Sequence, residues 1–521
     1  MRLPAILALA GLARVVGLGW GLPDGSHFFS YHPDEFSIAG TALGMLNAGD
    51  ANPRFFHYGS LTIYLTVVTA LPFHRLGLIG TVVGTHVVAR MWGIAFGIAT
   101  VWIVYRLGRR LAGERAAVVA ALLVALAPGH VLHSAYAAVD VPAAFFVALT
   151  LWLAAIAGEG RAPKWFALAG ATAGLAAATK YSVGVVAIAP IVAAARSPSD
   201  AAGRQRIVRV LVVVAAAGAA FLAATPFAVL DFPAFWEDVS YELFEHPREG
   251  HLNIFEGTGN GWWMHLGTNL PYVLGWPLLL ASLFGLGRLA RRRAPLDVLI
   301  LSFAVPYFLM LGFSQVRFLR YTLPLVPVLA LAATEGFGAV GRRWRRVAEV
   351  GVVASLALLT AGQQLSLLRE DPRTAAAAWL ARNAPPGASV GLVHFPWFYT
   401  PPVTPWNGGL DGRPRFVAEM KGGGGRYRFV LCEDWDTAKL ERERPDWILL
   451  SEFEWREEER LGDPEASTFR SALSRHYREV SRFERFPAGA RWIFGRRFAP
   501  HDWLYPFADV RIYRHRGGGT P

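Results

Sequence analysis

Charged residues are scarce in this chain. Of its 521 residues only 17% are Asp, Glu, Lys or Arg, whereas 53% are hydrophobic. A soluble protein of ordinary composition carries about 25% charged residues to cover its surface. This shortage excludes an ordinary water-soluble enzyme and indicates a chain that is embedded largely in a membrane.

Cysteine and lysine are also rare. The single cysteine, Cys432, excludes an intramolecular disulfide and a cysteine-based metal cage, and we expect it to be a small buried apolar residue. The formal net charge of +12 therefore comes from arginine, because the only lysines are Lys164, Lys180, Lys421 and Lys439. The arginines lie in short runs between apolar stretches rather than on one soluble face, which argues against a nucleic-acid partner.

Apolar stretches of the length that crosses a bilayer, about 20 residues, recur along most of the chain. They predict about eleven transmembrane helices. The predicted spans lie near residues 3–21, 85–105, 115–128, 140–157, 164–179, 182–195, 208–229, 270–288, 297–313, 320–340 and 347–367. We expect the first to be an uncleaved span rather than a signal peptide, because its apolar run is longer than a typical signal sequence.

Alternate loops between these spans carry the arginines, and this asymmetry predicts the topology. The basic groups are Arg106 to Arg115, Arg161 with Lys164, Arg196 to Arg209, Arg288 to Arg293 and Arg342 to Arg346. By the positive-inside rule these loops and the N-terminus are cytoplasmic. If the apolar stretch Gly59–His74 crossed the bilayer, every later basic loop would face outward, so we expect it to lie in the outer interface.

Near residue 370 the composition changes to dense charge with frequent proline and glycine. Residues 373–383 predict a helix, and 389–394, 427–431 and 446–450 predict short strands. We therefore expect a transmembrane domain over 1–369, with outer loops at 22–84 and 230–269. A soluble extracytoplasmic domain of α/β or α+β class is predicted to follow over 370–521.

Ionisable side chains near membrane depth are costly and are functional candidates. Asp34 and Glu35 lie in the first outer loop, where one carboxylate raises the basicity of its neighbour and either could accept a proton. The alternative is that they only open the following helix. Asp140 starts an apolar helix and is either a functional carboxylate or an N-terminal cap.

Basic candidates on the outer face are fewer. Lys180, in a tight outer turn, could neutralise a phosphate or only extend its amine to the membrane surface. Arg317 and Arg320 share one helix face at a spacing of three and could bind a phosphate through paired hydrogen bonds, or serve as anchors. The outer loop around His246 and Arg248 is long and rich in potential ligands, as a mobile lid would be. The cations and carboxylates together favour chemistry on a lipid phosphate at the outer surface.

The chain resembles the lipid-linked sugar glycosyltransferases of the GT-C superfamily. The similarity is to the bacterial branch related to protein O-mannosyltransferases and lipid A aminoarabinose transferases, over roughly residues 5 to 370. Its marks are His32-Pro33-Asp34-Glu35, Phe56-His57-Tyr58-Gly59, Val139-Asp140-Val141-Pro142, Thr179-Lys180-Tyr181, Glu245-His246-Pro247-Arg248 and Arg317-Phe318-Leu319-Arg320-Tyr321. Where aminoarabinose transferases have an acidic-basic pair before the interfacial helix, this sequence has Phe56-His57.

The resemblance implies roles for these residues. Asp34, with Glu35 beside it, would be the leading catalytic carboxylate and Asp140 the second acidic site. Lys180, Arg248, Arg317 and Arg320 would contact the donor phosphate, and His57 and Tyr58 would contact the acceptor or the outer loop. One divalent metal ion, held through His246, is a further expectation.

The predicted activity is transfer of a sugar, with inversion, from a polyprenyl-phosphate donor to a protein, lipid or polysaccharide acceptor. The predicted location is the bacterial inner membrane, in contact with membrane lipids, with the C-terminal domain periplasmic or extracellular. A lipid or small-molecule transporter is the first alternative, although transporters bind substrate near the midplane between repeats, and no repeat is evident. A receptor or scaffold, anchored by the membrane region, is the second.

Overall fold

The computed structural model describes residues 2–160, 162–197, 203–406, 412–422, 425–487, 490 and 495–517. Arg161, in one of the predicted cytoplasmic loops, lies outside these residues. The chain divides into two compact units. The helical unit comprises Met1–Leu18, Asp34–Leu365 and Ala488–Asp502, and the sheet unit comprises Gly19–Pro33, Ser366–Pro487 and Trp503–Pro521. The domain boundary at residue 370 stays a prediction. Relative to it, this division assigns Gly19–Pro33 to the sheet unit and Ala488–Asp502 to the helical unit.

The helical unit is built almost entirely of helix. Its α-helices are α1 (Leu3–Val15), α2 (Thr41–Ala48), α3 (Leu61–Arg75), α4 (Val82–Ala125), α5 (Pro128–Ser134), α6 (Asp140–Gly158), α7 (Lys164–Thr179), α8 (Ile188–Arg196), α9 (Arg204–Ala224), α10 (Phe227–Leu230), α11 (Phe232–Ser240), α12 (His246–Glu249), α13 (Gly261–Met264), α14 (Leu270–Leu274), α15 (Trp276–Arg292), α16 (Pro295–Phe313), α17 (Val326–Phe337) and α18 (Arg342–Leu367). The described part of this unit also has three 3₁₀ helices (Tyr181–Ala187, Leu319–Leu325 and Arg496–Phe498) and three π-helical turns (Phe36–Gly40, Tyr241–Glu245 and His265–Asn269).

Within the described residues, five helices are long and apolar enough to cross a membrane. They are Val82–Ala125, Asp140–Gly158, Arg204–Ala224, Pro295–Phe313 and the segment Arg343–Asn383. A sixth span arises if the pair Gly261–Leu274 and Trp276–Arg292, bent by 119°, counts as one. These helices make the helical unit a candidate membrane protein, while the number of about eleven spans stays a prediction.

Helix α4 contains two of the predicted spans. Ala112 and Gly113 have non-helical backbone angles, and Gly113 has a φ of +82°, which favours glycine. A Cβ placed on Gly108 would lie 2.8 Å from the Cα of Ala117. Two residues nine positions apart in a straight helix would be separated by roughly 13 Å along its axis. The chain therefore reverses direction at Gly113, between the predicted spans 85–105 and 115–128.

A 3₁₀ segment explains why some predicted spans are short as α-helices. Tyr181–Ala187 runs into α8, and together they form one apolar helix, Tyr181–Arg196. The 3₁₀ helix rises about 2.0 Å per residue and the α-helix about 1.5 Å, so the combined segment reaches roughly 28 Å. That length approaches the hydrocarbon thickness of a bilayer, roughly 30 Å.

The sheet unit has a mixed five-stranded sheet in the order β2-β1-β3-β5-β4. The strands are β1 (Ser389–Leu392), β2 (Arg428–Leu431), β3 (Trp447–Ser451), β4 (Tyr477–Glu484) and β5 (Asp509–His515). Strand β1 pairs in parallel with β2 and β3, whereas β5 is antiparallel to β3 and β4. The three strands predicted from the sequence are confirmed, and β4 and β5 were missed.

Apolar residues cover both faces of this sheet. Helices α19 (Pro372–Asn383) and α20 (Gly412–Gly422) contribute Leu380 and Phe416 to one face. The other face packs against α21 (Thr437–Glu443) and α23 (Pro464–His476), which follows α22 (Glu452–Leu461). Cys432 is free and buried on that second face, as predicted, and burial raises the pKa of its thiol to about 11.

The N-terminal segment Gly19–Pro33 belongs to the sheet unit because its aromatic side chains bond to the start of α19. The Trp20 indole donates to the Asp371 carboxylate at 3.0 Å, and the Tyr31 and Thr374 hydroxyls lie 2.8 Å apart. The Arg373 guanidinium carbon lies 3.9 Å from the centre of the Tyr31 ring. These contacts join residues more than 300 positions apart in the sequence.

Candidate active site

Asp34 and Arg320 form an ion pair in the helical unit. Asp34 opens the segment before the π-helical turn at Phe36, and Arg320 lies in the 3₁₀ helix that precedes α17. Arg320 Nη2 is 3.0 Å from Asp34 Oδ2, and the Asp34 side chain keeps 20% of its surface exposed. The pair therefore combines an accessible carboxylate with a guanidinium, a group that can bind phosphate.

Asp140 and Lys180 form a second ion pair. Lys180 Nζ donates to Asp140 Oδ1 at 2.6 Å, with Asp140 almost fully buried and Lys180 13% exposed. Asp140 is the first residue of α6, and Val139 occupies the N-cap position before it. The Asp140 carboxylate holds the lysine.

Tyr321 lies beside both pairs. Its ring centre is 3.9 Å from Lys180 Nζ and 5.6 Å from the guanidinium carbon of Arg320. Both distances are within the range of cation–π attraction. Tyr58 is close to the same charges, and burial together with the Asp34 carboxylate raises the pKa of its hydroxyl well above the usual value. The structure thus brings together Asp34, Tyr58, Asp140, Lys180 and Arg320, which lie far apart in the sequence.

Asp502 supports Arg320 from a distant part of the sequence. Its carboxylate accepts the backbone N–H groups of Leu319 and Arg320 at 3.0 and 2.9 Å, and Arg320 Nη1 lies 3.5 Å from it. The residue is fully buried. Sequence reasoning missed Asp502, because nothing in the local pattern around it indicates the backbone N–H groups that it meets 182 and 183 positions earlier.

Glu35 lies apart from these pairs in a buried contact of its own. Arg90 donates Nε and Nη2 to the two carboxylate oxygens of Glu35 at 2.8 and 2.6 Å, and both side chains are fully buried. The same carboxylate accepts the backbone N–H of Ala137 at 2.8 Å. Glu35 therefore ties the segment after Asp34 to the segment that leads into Asp140. A role of Glu35 in chemistry stays a prediction, and this geometry favours a positioning role.

A network of histidines and carboxylates connects His57 with the loop 230–269. His57 lies 3.4 Å from Asp238 and 3.2 Å from Glu242. His246 is 3.4 Å from the other oxygen of Glu242 and 3.2 Å from the ring of His251. His57 thus connects the segment before α3 to the loop 230–269. Its role at the acceptor stays a prediction.

The charges in this network shift the pKa values of its members. Burial raises the pKa of Glu242, but hydrogen bonds from His246 and His57 outweigh burial and bring it to about 2. The hydrogen bond with Glu242 raises the pKa of His57 above its ordinary value of 6.5. Burial lowers the pKa of His251 to about 4. At neutral pH the network therefore has an ionised Glu242 beside a neutral His251.

The donor atoms of this network do not form a metal cage. Its residues make successive pairwise contacts, and in the described ranges no group of three or more His, Cys, Asp or Glu side chains is arranged to hold a metal ion. A cage needs several ligands directed at one point. The residues around His246 thus do not fit the metal ion expected from the resemblance, and we derive no step through a metal.

The two remaining basic candidates have other surroundings. Arg317 donates to the Thr258 hydroxyl at 2.8 Å, the Gly259 carbonyl at 2.7 Å and the Gln315 side chain at 2.8 Å. Only 5% of its surface is exposed. Arg248 is exposed at the end of α12. Arg317 therefore holds Thr258 and Gly259 in the second half of the loop 230–269. Phosphate binding by Arg317 or Arg248 stays a prediction.

Comparisons with known proteins show what this chain is similar to. The family model for dolichyl-phosphate-mannose-protein mannosyltransferases matches residues 76–229. Curated proteins give no significant match. The structure is similar to the oligosaccharyltransferase AglB of Archaeoglobus fulgidus, in complex with an inhibitory peptide and a dolichol-phosphate. That match has a TM-score of 0.52 and 14% identity, and it covers 99% of this chain and 89% of that chain.

Structures of ArnT from Cupriavidus metallidurans are also similar. The apo state matches with a TM-score of 0.51 and 16% identity, over 98% of this chain and 97% of that chain. The form bound to undecaprenyl phosphate matches with a TM-score of 0.50 and 16% identity, over 99% of both chains. These findings confirm the resemblance seen in the sequence, and the chain shares its fold with AglB and ArnT.

Proposed function

We propose that the protein is an integral membrane glycosyltransferase that moves a sugar from a polyprenyl-phosphate donor to an extracytoplasmic acceptor, with inversion. The observation that carries the proposal is the pair of carboxylate–cation contacts beside Tyr321, Asp34 with Arg320 and Asp140 with Lys180. Two cations at one site can hold a phosphate, and an accessible carboxylate next to them can take a proton from an acceptor. The lipid carriers and the peptide bound to AglB and ArnT support this choice of substrates.

In the proposed reaction the donor phosphate replaces the Asp34 carboxylate as the partner of Arg320. Guanidinium groups bind phosphate through paired hydrogen bonds, so Arg320 can turn from Asp34 to the donor. Asp34 then takes the proton of the acceptor hydroxyl, and the acceptor oxygen attacks the anomeric carbon. The bond from that carbon to the phosphate oxygen breaks, and the polyprenyl phosphate leaves. Lys180 and Arg320 stabilise the charge that develops on the leaving phosphate.

The other residues position these groups. Asp140 holds Lys180, and Glu35 with Arg90 fixes the segments that carry the two carboxylates. His57, Glu242 and His246 hold the outer loop beside the site. We place the reaction at the outer face of a bacterial inner membrane, with the sheet unit outside the cytoplasm, in agreement with the arginine asymmetry of the loops.

The experiment that tests the proposal supplies the purified full chain, in lipid nanodiscs, with a panel of radiolabelled polyprenyl-phosphate sugars and candidate acceptors. We expect one donor to lose its sugar, and Asp34→Asn to abolish the loss. Asp50→Asn is the matched control, because Asp50 is a more exposed carboxylate of the same outer loop, paired with Arg54 at 2.9 Å. Wild-type turnover by Asp34→Asn would remove Asp34 from the mechanism. Movement of the lipid across liposomes without a new glycosidic bond would favour a transporter instead.

A further inference from the structure

A cavity lies at the opposite end of the helical unit from the proposed site. Helix α6 begins at Asp140 and ends at Gly158, and its 19 residues extend over roughly 28 Å. Gly158 and Glu159 line a cavity of about 580 Å³. Its other walls come from the segment before Gly113, the end of α8, the end of α15 and the start of α16. The cavity therefore lies about one membrane thickness from Asp140, among the loops that carry the arginine runs.

Three arginines from three different segments line this cavity, and their partners differ. Arg110 is paired with Glu159, and Arg292 donates to both oxygens of Asp297 at 2.8 and 2.7 Å. Arg196, at the end of α8, has no carboxylate partner within the part of the chain that the structure describes. Arg196 therefore gives the cavity a positive charge that no carboxylate of the described residues compensates, beside two guanidinium groups that are paired with carboxylates.

The same cavity has an apolar wall. Leu111, Ala155, Leu296 and Leu299 contribute to its lining. These residues belong to, or lie next to, helices long enough to cross a membrane. A basic pocket between transmembrane helices, at the surface of the bilayer, is the kind of site that holds a phospholipid headgroup with its chains against the helices.

We propose that this cavity binds the phosphate headgroup of an anionic membrane phospholipid, with Arg196 as the principal contact and Arg110 beside it. Charge complementarity selects the headgroup, because a zwitterionic lipid offers its phosphate together with a cation. The apolar wall selects a lipid over a free phosphate compound. This site is separate from the proposed sugar-transfer site, so the two proposals can fail independently.

Native mass spectrometry of the full chain in detergent tests the proposal, by titration with phosphatidylglycerol and, separately, phosphatidylcholine. We expect tighter binding of phosphatidylglycerol, and Arg196→Gln to weaken it about fivefold, the effect of losing roughly one surface arginine contact. Arg291→Gln is the matched control, because Arg291 is exposed near the end of α15 but does not line the cavity. Equal weakening in both variants, or equal binding of both lipids by the wild type, would overturn the proposal.

A second variant tests the space rather than the charge. Ala155→Leu places a larger side chain into the cavity without changing any charge, and we expect it to weaken phosphatidylglycerol binding as well. Glycerol phosphate, added as a competitor, separates the two sources of phosphate. Failure of excess glycerol phosphate to displace the lipid supports the proposal. Displacement at equal concentrations would assign the cavity to a soluble phosphate compound and overturn it.

Discussion

Arg320 holds the carboxylate of Asp34 at 3.0 Å and, through its other terminal nitrogen, lies 3.5 Å from Asp502. Asp502 is fully buried and also accepts two backbone N–H groups, whereas Asp34 is partly exposed. The guanidinium is therefore anchored on one side and faces a more accessible carboxylate on the other. A phosphate that approaches the site would compete with Asp34 for the arginine more easily than with Asp502.

Replacing Asp34 should stop catalysis while the protein remains folded. We expect Asp34→Asn to lower the turnover rate by about 10²–10⁴-fold, the usual contribution of a general base.

Arg320→Lys should instead raise the donor KM more than it lowers kcat, because lysine keeps the charge but loses the paired hydrogen bonds. Steady-state kinetics with the labelled donor measure both constants. An unchanged KM in Arg320→Lys would contradict phosphate binding by Arg320.

The Asp140–Lys180 pair should behave differently in stability and in catalysis. Removal of one partner leaves a buried charge, so Lys180→Gln should destabilise the fold by about 3–5 kcal/mol. The double variant Asp140→Asn with Lys180→Gln should recover most of that stability. Turnover should stay low in the double variant, because the phosphate has lost a cation. Thermal unfolding and turnover, measured on the same preparations, test this, and recovery of both together would make the pair purely structural.

Glu35 should prove to be a positioning residue. Glu35→Gln keeps the size of the side chain but removes the charge that faces Arg90, and we expect about 3–5 kcal/mol of destabilisation. At a temperature where the variant stays folded, its kcat should fall less than that of Asp34→Asn, and its pH–rate profile should keep the shape of the wild type. A profile that loses its basic group in Glu35→Gln, but not in Asp34→Asn, would reverse the two roles.

The His57–Glu242 contact should make stability depend on pH. Because the folded protein raises the pKa of His57 above 6.5, protonated His57 stabilises the fold fully below about pH 6.5. This contribution is lost as the pH rises through the raised pKa. We expect the difference in Tm between the wild type and His57→Gln to be largest below about pH 6.5 and to shrink as the pH rises above that value. A difference that grows with pH would contradict the assigned charge state.

Arg317 should keep the second half of the loop 230–269 ordered. Its donors hold Thr258 and Gly259, so Arg317→Ala should increase hydrogen exchange in residues 253–260. Arg248→Ala is the control, because Arg248 is exposed at the end of α12. The donor KM should change less than in Arg320→Lys. A large rise in KM without a change in exchange would return Arg317 to the phosphate-binding residues.

The sequence was sufficient to predict the features that depend on local patterns. The strands at β1, β2 and β3 and the helix α19 follow from short apolar runs and their turn residues. Strand β4 was missed because it lies at the edge of the sheet and its sequence, Tyr-Arg-Glu-Val-Ser-Arg-Phe-Glu, has little buried surface. The candidates Asp34, Asp140, Lys180 and Arg320 were selected from the sequence because charge at membrane depth is costly, and their roles stay predictions.

Contacts between distant segments could not be predicted in the same way. The sequence places Glu35 next to Asp34, but only the fold shows that Arg90 and Ala137 surround it. The position of Asp502 beneath Arg320 depends on a chain return of 182 residues. Neither residue type nor spacing carries that information, because the partner of a buried charge is set by packing.

The contacts of Trp20 with Asp371 and of Tyr31 with Thr374 limit how this protein can be recombined. A chimaera that exchanges only the region after residue 366 would leave these two aromatic side chains without their native partners. Residues 19–33 end at Pro33, which is bonded directly to Asp34. Loss of the native partners of Trp20 and Tyr31 would therefore disturb the segment next to the proposed base. A transplant that conserves function must therefore move residues 19–33 together with the rest of the sheet unit, and must keep Asp502 with Arg320.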